Sequence, residues 1–194
     1  MKRTAILAAL CLGSFALAQE TKKPAPGAPA AAAQPKPPAG PPKPAPEMKQ
    51  LDFFLGTWKC DGKMLANTMG PEHAMKTTAT GKTDLDGFWV LVRVEEKKTK
   101  DSPVPLKGNF QMTYDAAVKK FQAVWVDNFG GWGPATSTGW EGDKIAFTGE
   151  MFMGGQKVGS RDSFTKKGDK EMVHVGEMQM GGKWSTMMEE TCKK

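Results

Sequence analysis

From Gly56 onward, turn chemistry cuts the chain at short intervals and leaves no room for a long element. The breaks are Asp86-Gly87, Asp115-Ala116-Ala117, Glu141-Gly142-Asp143, Gly154-Gly155, Lys167-Gly168-Asp169 and Gly181-Gly182. Glycine supplies the positive φ of tight hairpin turns, and Asp folds its side chain back onto nearby amides. Between the breaks, apolar and polar residues alternate with period two. The pattern is clearest in Phe88-x-Val90-x-Val92-x-Val94 and in Ile145-x-Phe147-x-Gly149-x-Met151-x-Met153. Such alternation buries one face of a strand and solvates the other.

The spacing predicts strands over Thr57–Leu65, His73–Thr83, Phe88–Glu96, Gly108–Tyr114, Phe121–Val126 and Ala135–Trp140. It continues them over Ile145–Met153, Lys157–Thr165, Glu171–Met180 and Lys183–Cys192. Connections this short make successive strands antiparallel neighbours. A meander of about ten strands loses its exposed edges most simply by closing on itself. The expected fold is all-β, an antiparallel up-and-down barrel over residues 48–194. Only Pro46–Gly56 reads as helical, with Met48, Leu51, Phe54 and Leu55 on one face, a short N-terminal helix suited to capping an end of the barrel.

Closure brings the first and last predicted strands together, and each carries a cysteine. A Cys60–Cys192 disulfide would lock that seam; two unpaired buried thiols are the alternative.

Ahead of the barrel, residues 1–18 read as a signal peptide. Lys2 and Arg3 form its positive end, Ala5 to Leu12 its apolar stretch, and Ala16-Leu17-Ala18 the cleavage site before Gln19. The apolar stretch falls short of the roughly 20 residues that span a bilayer, so no transmembrane segment is expected in the mature protein. Acylation at Cys11 would anchor the chain instead, but Leu10 is larger than the residue such processing requires. The expected location is periplasmic or secreted, where disulfides persist. Residues 19–47 form a disordered Pro/Ala/Lys-rich linker, with ten of the fourteen prolines between Pro24 and Pro46. Proline fixes φ and donates no hydrogen bond, so the stretch is extended and polyproline-like. It reads as a spacer touching cell-envelope components, or as a ligand for aromatic grooves of a partner domain. Of the net charge of +6, +4 falls in residues 1–47 and +2 in the remainder. A nucleic-acid partner is therefore not expected, because its binder concentrates positive charge on the folded domain.

Several segments carry a family likeness. Phe54-Leu55-Gly56-Thr57-Trp58 resembles the Gly-x-Trp opening of the lipocalin-like calycin barrels. Trp125-Val126-Asp127-Asn128-Phe129-Gly130, Gly139-Trp140, Ser160-Arg161-Asp162 and Lys183-Trp184-Ser185-Thr186-Met187-Met188-Glu189 resemble the bacterial exported family catalogued as domain of unknown function 1579. The likeness covers residues 48–194 and implies a lipocalin-like barrel, with no activity or ligand attached. Relatives carry Tyr or Thr near position 192, so a bridge there would be a departure.

The residues offer few chemical handles. On a strand, Met172, His174, Met178 and Met180 share one face; His174 with Met178 and Met180 has the donors for Cu(I), and His174 alone for haem. The alternative, that methionine fills a core and His174 is an interior polar group, fits the absence of a second nearby histidine, so no metal or other cofactor is expected. Asp127 and Asn128 open a glycine-rich loop with Trp132, either as a ligand gate at a barrel mouth or simply as turn-builders. The lipocalin resemblance implies an arginine near the last strands stacked on the entry Trp, which makes Arg161, or Arg93, a candidate to cover Trp58 and close the barrel base; otherwise Arg161 would pair with an anionic head group inside. The carboxylate pairs Asp84/Asp86 and Glu189/Glu190 read as solvated charge. Without a Gly-x-Ser-x-Gly elbow, a phosphate-cradling loop or metal-type His/Cys spacing, no enzyme is expected.

Three functions remain open. In the first, the barrel binds a small apolar ligand walled by Trp58, Trp125, Trp140, Phe147 and Met151, with Asp127, Asn128, Trp132 and Arg161 around it. In the second, six Trp, nine Phe and twelve Met from residue 48 onward fill the barrel, and the protein is an envelope interaction module on its stalk. The third is haem or copper binding through His174 and the methionines.

Overall fold

The structure, a computed structural model, describes residues 40–67 and 70–194. Residues 1–39, where a signal peptide and most of a proline-rich linker are expected, lie outside the described residues. A 3₁₀ helix over Pro46–Phe54 is followed by β1 (Gly56–Met64), β2 (His73–Asp84), β3 (Trp89–Glu96), β4 (Lys107–Asp115), β5 (Lys120–Asp127) and β6 (Trp132–Ser137). A two-residue β7 (Trp140–Glu141) then leads into β8 (Lys144–Met153), β9 (Gln156–Gly168), β10 (Glu171–Met180) and β11 (Lys183–Lys193). Successive strands pair antiparallel except β6 and β7, while β1 pairs with β11 and β6 with β8. These pairings close a ten-stranded barrel, with β7 as an appendage of β8.

The two joins of the ring differ. At the β1–β11 join six residue pairs run from Lys59↔Lys193 to Met64↔Met188. Cys60 and Cys192 face each other there, with Cα atoms 3.9 Å apart, and form the expected disulfide. The β6–β8 join holds only the pairs Trp132↔Phe152, Ala135↔Gly149 and Thr136↔Thr148. Pro134, inside β6, has no N–H to offer a ladder.

The sixth strand begins at Trp132 and ends at Ser137, where the sequence reading placed it over Ala135–Trp140. The Asp127 carboxylate closes the β5–β6 turn early, accepting hydrogen bonds from the backbone N–H of Phe129 and Gly131. Gly139, at φ 102°, then breaks the chain before Trp140.

The predicted helix is present with 3₁₀ winding, and its apolar spacing accounts for that. Met48, Leu51 and Phe54 are its buried residues, and a three-residue interval repeats on one face at three residues per turn. Pro46 stands at its N-terminal end, where the missing N–H costs nothing. The helix plugs one end of the barrel. The indole of Trp58 donates to the Phe54 carbonyl at 3.4 Å and that of Trp140 to the Gln50 carbonyl at 2.8 Å. Phe54 meets Phe164 edge to face, and behind this layer Met112, Ile145 and Phe147 are fully buried.

Gly81 lets the plug seat, since a Cβ added there would fall on the Phe54 carbonyl oxygen. Gly81→Ala is therefore expected to destabilise the barrel by about 1–3 kcal/mol through overpacking. Urea unfolding of the variant measures this, and an unchanged midpoint would show that the helix does not bear on β2.

Lysines, in place of the anticipated arginine, close the base. The Lys194 ammonium lies 4.4 Å from the Trp58 ring centroid and donates to the Phe53 carbonyl at 2.9 Å. The Lys166 ammonium sits 3.7 Å over Trp140. Strand phase explains the correction. Trp58 points inward, whereas Arg93 bonds Asn109 across the β3–β4 pair and lies 3.5 Å from Glu95, in the phase opposite the buried Val90 and Val92.

Candidate functional site

The plug fills one end of the barrel with apolar side chains; a charged group stands inside beyond it. On β10 the inward positions are Met172, His174, Gly176 and Met178, and His174 falls between two carboxylates from the flanking strands. Its Nε2 lies 3.0 Å from Asp162 Oδ1 on β9, and its Nδ1 lies 3.0 Å from Glu190 Oε1 on β11. The imidazole also stacks on Phe164, centroids 4.3 Å apart and planes 14° from parallel. Gly176 stands opposite Asp162 and gives up its side-chain space to Met188. Burial opposes a charge on His174, but the hydrogen bonds to Asp162 and Glu190 and their charges outweigh it and raise its pKa from 6.5 to about 9. At neutral pH the ring is an imidazolium donating from both nitrogens.

The geometry bears directly on metal ligation, because each ring nitrogen is already engaged by a carboxylate at 3.0 Å and neither is free for copper or haem iron. Met178 stands four residues, about 13 Å, along the strand from His174. Met180, at the hairpin end, is 41% exposed. The three side chains therefore do not converge. Among the described residues, one group of metal-type donors does come together, with Cys60, Cys192 and Glu190 within 4.8 Å of one another. Its two sulfurs are spent in the disulfide.

A second group lines the interior near the β5–β6 turn. Trp125 lies across Gly108, where a Cβ would strike the indole ring. Its Nε1 donates to Asp127 Oδ2 at 2.9 Å, while Asp127 Oδ1 takes the two turn amides. Met151 reaches toward the same place, its methyl close to Gly131. Asn128 ties this turn to the β3–β4 loop, accepting from Lys107 N at 2.7 Å and donating to the Pro105 carbonyl at 3.2 Å. Asp127 and Asn128 are thus committed to building the turn.

A family model described as "Protein of unknown function (DUF1579)" matches residues 43–194. The chain belongs to the DUF1579 family. Among solved structures, this DUF1579 barrel is similar to Rv2717c from M. tuberculosis, at 13% identity and a TM-score of 0.62, covering 78% of this chain and 99% of that one. At that identity the likeness shows the fold. A redesigned β-barrel, mFAP1, bound to DFHBI, is similar at 8% identity and a TM-score of 0.40, covering 75% of this chain and 98% of that one. No curated protein matches the chain.

The DUF1579 barrel distributes the remaining expected residues over different places. Trp58 and Trp140 belong to the plugged end, and Phe147 to the core, in edge-to-face contact with Phe110. Trp132 lies on the outer wall, 48% exposed and stacked on Phe152 at 4.4 Å. Arg161 is also external. It makes a two-pronged ion pair with Glu177, at 2.7 and 2.9 Å, and covers Trp184 at 4.5 Å, so neither Trp58 nor an interior anion is its partner. The mutual hydrogen bonding raises the Arg161 pKa and lowers that of Glu177. Of the nine expected residues, Trp125, Asp127 and Met151 converge inside. Two surface hollows, of about 580 Å³ over Thr83–Gly87 and about 240 Å³ beside Asp61 and Glu189, are not walled by the expected aromatics.

Asp162 and Glu190 are the site residues that sequence reasoning missed. Glu190 reads as solvated charge beside Glu189, yet it is only 6% exposed. The available signal was parity: once Cys192 points inward to its disulfide, Glu190 two residues earlier does so too.

Proposed function

We propose that this DUF1579 protein is an exported binding protein that takes a small molecule, apolar over part of its surface, into the half of the barrel opposite the helical plug. The observation that carries the reading is the interior charged group His174–Asp162–Glu190. Buried ion pairs rarely repay their desolvation against a well-packed apolar core, so their retention favours a functional role. Trp125 and Met151 supply an apolar surface on the same interior. The β1–β11 disulfide suits an oxidising compartment, and no helix among the described residues is long and apolar enough to cross a membrane. No catalytic family is indicated, and the binding reading requires no catalysis.

The exposed Trp132–Phe152 stack favours a second reading, an envelope interaction module whose outer wall docks a partner. Native mass spectrometry of the exported, mature protein separates the two. A carrier should show a mass excess that denaturation removes. Binding of an apolar fluorescent probe should weaken about tenfold in Trp125→Ala and stay unchanged in Trp184→Ala, which alters only the outer wall beneath Arg161. Equal affinities in both variants would remove the interior site.

A further inference from the structure

We infer that the interior site takes a small organic cation, an ammonium group on an apolar body; this rests on the binding reading above. Three buried oxygens on the inner wall have no hydrogen-bond partner among the described residues: Thr77 Oγ1, Glu96 Oε1 and Glu190 Oε2. Thr77 and Glu190 are each 6% exposed. The register places the three on one stretch of wall. Thr77 on β2 stands opposite Glu96 on β3 and opposite Cys60 on β1. Cys60 in turn faces Cys192, two residues beyond Glu190 on the same face of β11.

Both carboxylates are hydrogen-bonded at one oxygen and buried without a partner at the other. Glu96 Oε2 accepts from Ser102 Oγ at 3.0 Å and from Leu106 N at 2.9 Å, while Glu190 Oε1 is bound to His174. Two carboxylate oxygens and a hydroxyl, fixed without partners, form an acceptor-rich wall. An unpaired buried acceptor costs about 1–3 kcal/mol, and a ligand with N–H donors removes that cost on binding. A primary ammonium carries three donors and no acceptor. The charge balance has the same sign, since His174 is shared between two carboxylates, Asp162 and Glu190, and the Glu96 carboxylate is held by Ser102 Oγ and Leu106 N, neither of which carries charge. A carboxylate or phosphate head group would meet lone pairs and like charge. Beside these acceptors, Met75 is buried and supplies apolar contact, with Trp125 and Met151 elsewhere on the interior.

The test uses the mature chain with its disulfide intact and three probes of equal chain length: octylamine, octanol and octanoate, titrated calorimetrically at neutral pH and low salt. The expected result is octylamine binding about tenfold or more tightly than octanol, with octanoate weakest. Glu190→Gln, and separately Thr77→Val, which keeps the shape of the buried side chain, should each reduce that preference. An amine preference untouched by both variants overturns the assignment to this wall. Equal binding of all three probes, or a preference for octanoate, overturns the cation inference and leaves the binding reading standing. If none of the three binds, both fail.

Discussion

Replacing His174 with Phe is expected to destabilise the barrel by about 3–5 kcal/mol, the cost of leaving the buried Glu190 carboxylate without its counter-charge. The substitution keeps an aromatic ring against Phe164, so the loss isolates the charge from the packing. The same group gives the wild-type protein a pH dependence of definite sign. Folding raises the His174 pKa from 6.5 to about 9, with Asp162 facing it from β9 and Glu190 from β11. Its contribution is therefore complete below 6.5 and is lost as pH rises through about 9. At about 1.4 kcal/mol per pH unit, the decline across that window is about 3 kcal/mol. Urea unfolding from pH 6 to pH 10 measures it, and the decline should be missing from His174→Phe. Stability that stays level or increases over the window would mean the ring is neutral in the folded protein.

Removing the disulfide should have an effect of similar size. Cys60 and Cys192 are 132 residues apart in sequence, so the bridge restricts almost the whole unfolded domain. In the chain-entropy model a loop of this order contributes roughly 4.7 kcal/mol, although native proteins losing a bridge span about 2–5 kcal/mol. A Cys60→Ala, Cys192→Ala double variant should unfold at markedly lower urea, and so should the wild type under reductant. Matching midpoints for reduced and oxidised protein would show that the β-ladder alone secures the seam.

Much of the architecture was legible because it depends on local chemistry. Gly154-Gly155 and Gly181-Gly182 dictate hairpins, alternation over Ile145–Met153 dictates an inner face, and the spacing of Met48, Leu51 and Phe54 dictates a buried helical stripe. Ring closure brought the two cysteine-bearing strands together and left a bridge or two free thiols as the options, and the structure holds the bridge. What escaped depends on neighbours that a linear reading does not supply. Whether Arg161 meets Trp58 or Trp184 is decided by which face of β9 it occupies and which strands flank that face. Glu190 and Glu189 look alike in the sequence, but strand parity buries one and exposes the other. The role of His174 followed the same rule: its methionine neighbours lie along its own strand, while its partners Asp162 and Glu190 arrive from the strands on either side.

The unequal joins of the barrel give the exposed Trp132 a meaning beyond an interaction surface. One join is riveted covalently; the other is lapped, with three residue pairs and a proline in its ladder. Trp132 and Phe152 sit opposite each other across that lapped join, their rings nearly parallel at 11°. The stack works as a clasp on the outside of the hoop. When it parts, β6 and β8 become the free edges of an open sheet, so the same aromatic pair that faces solvent also keeps the barrel from unrolling.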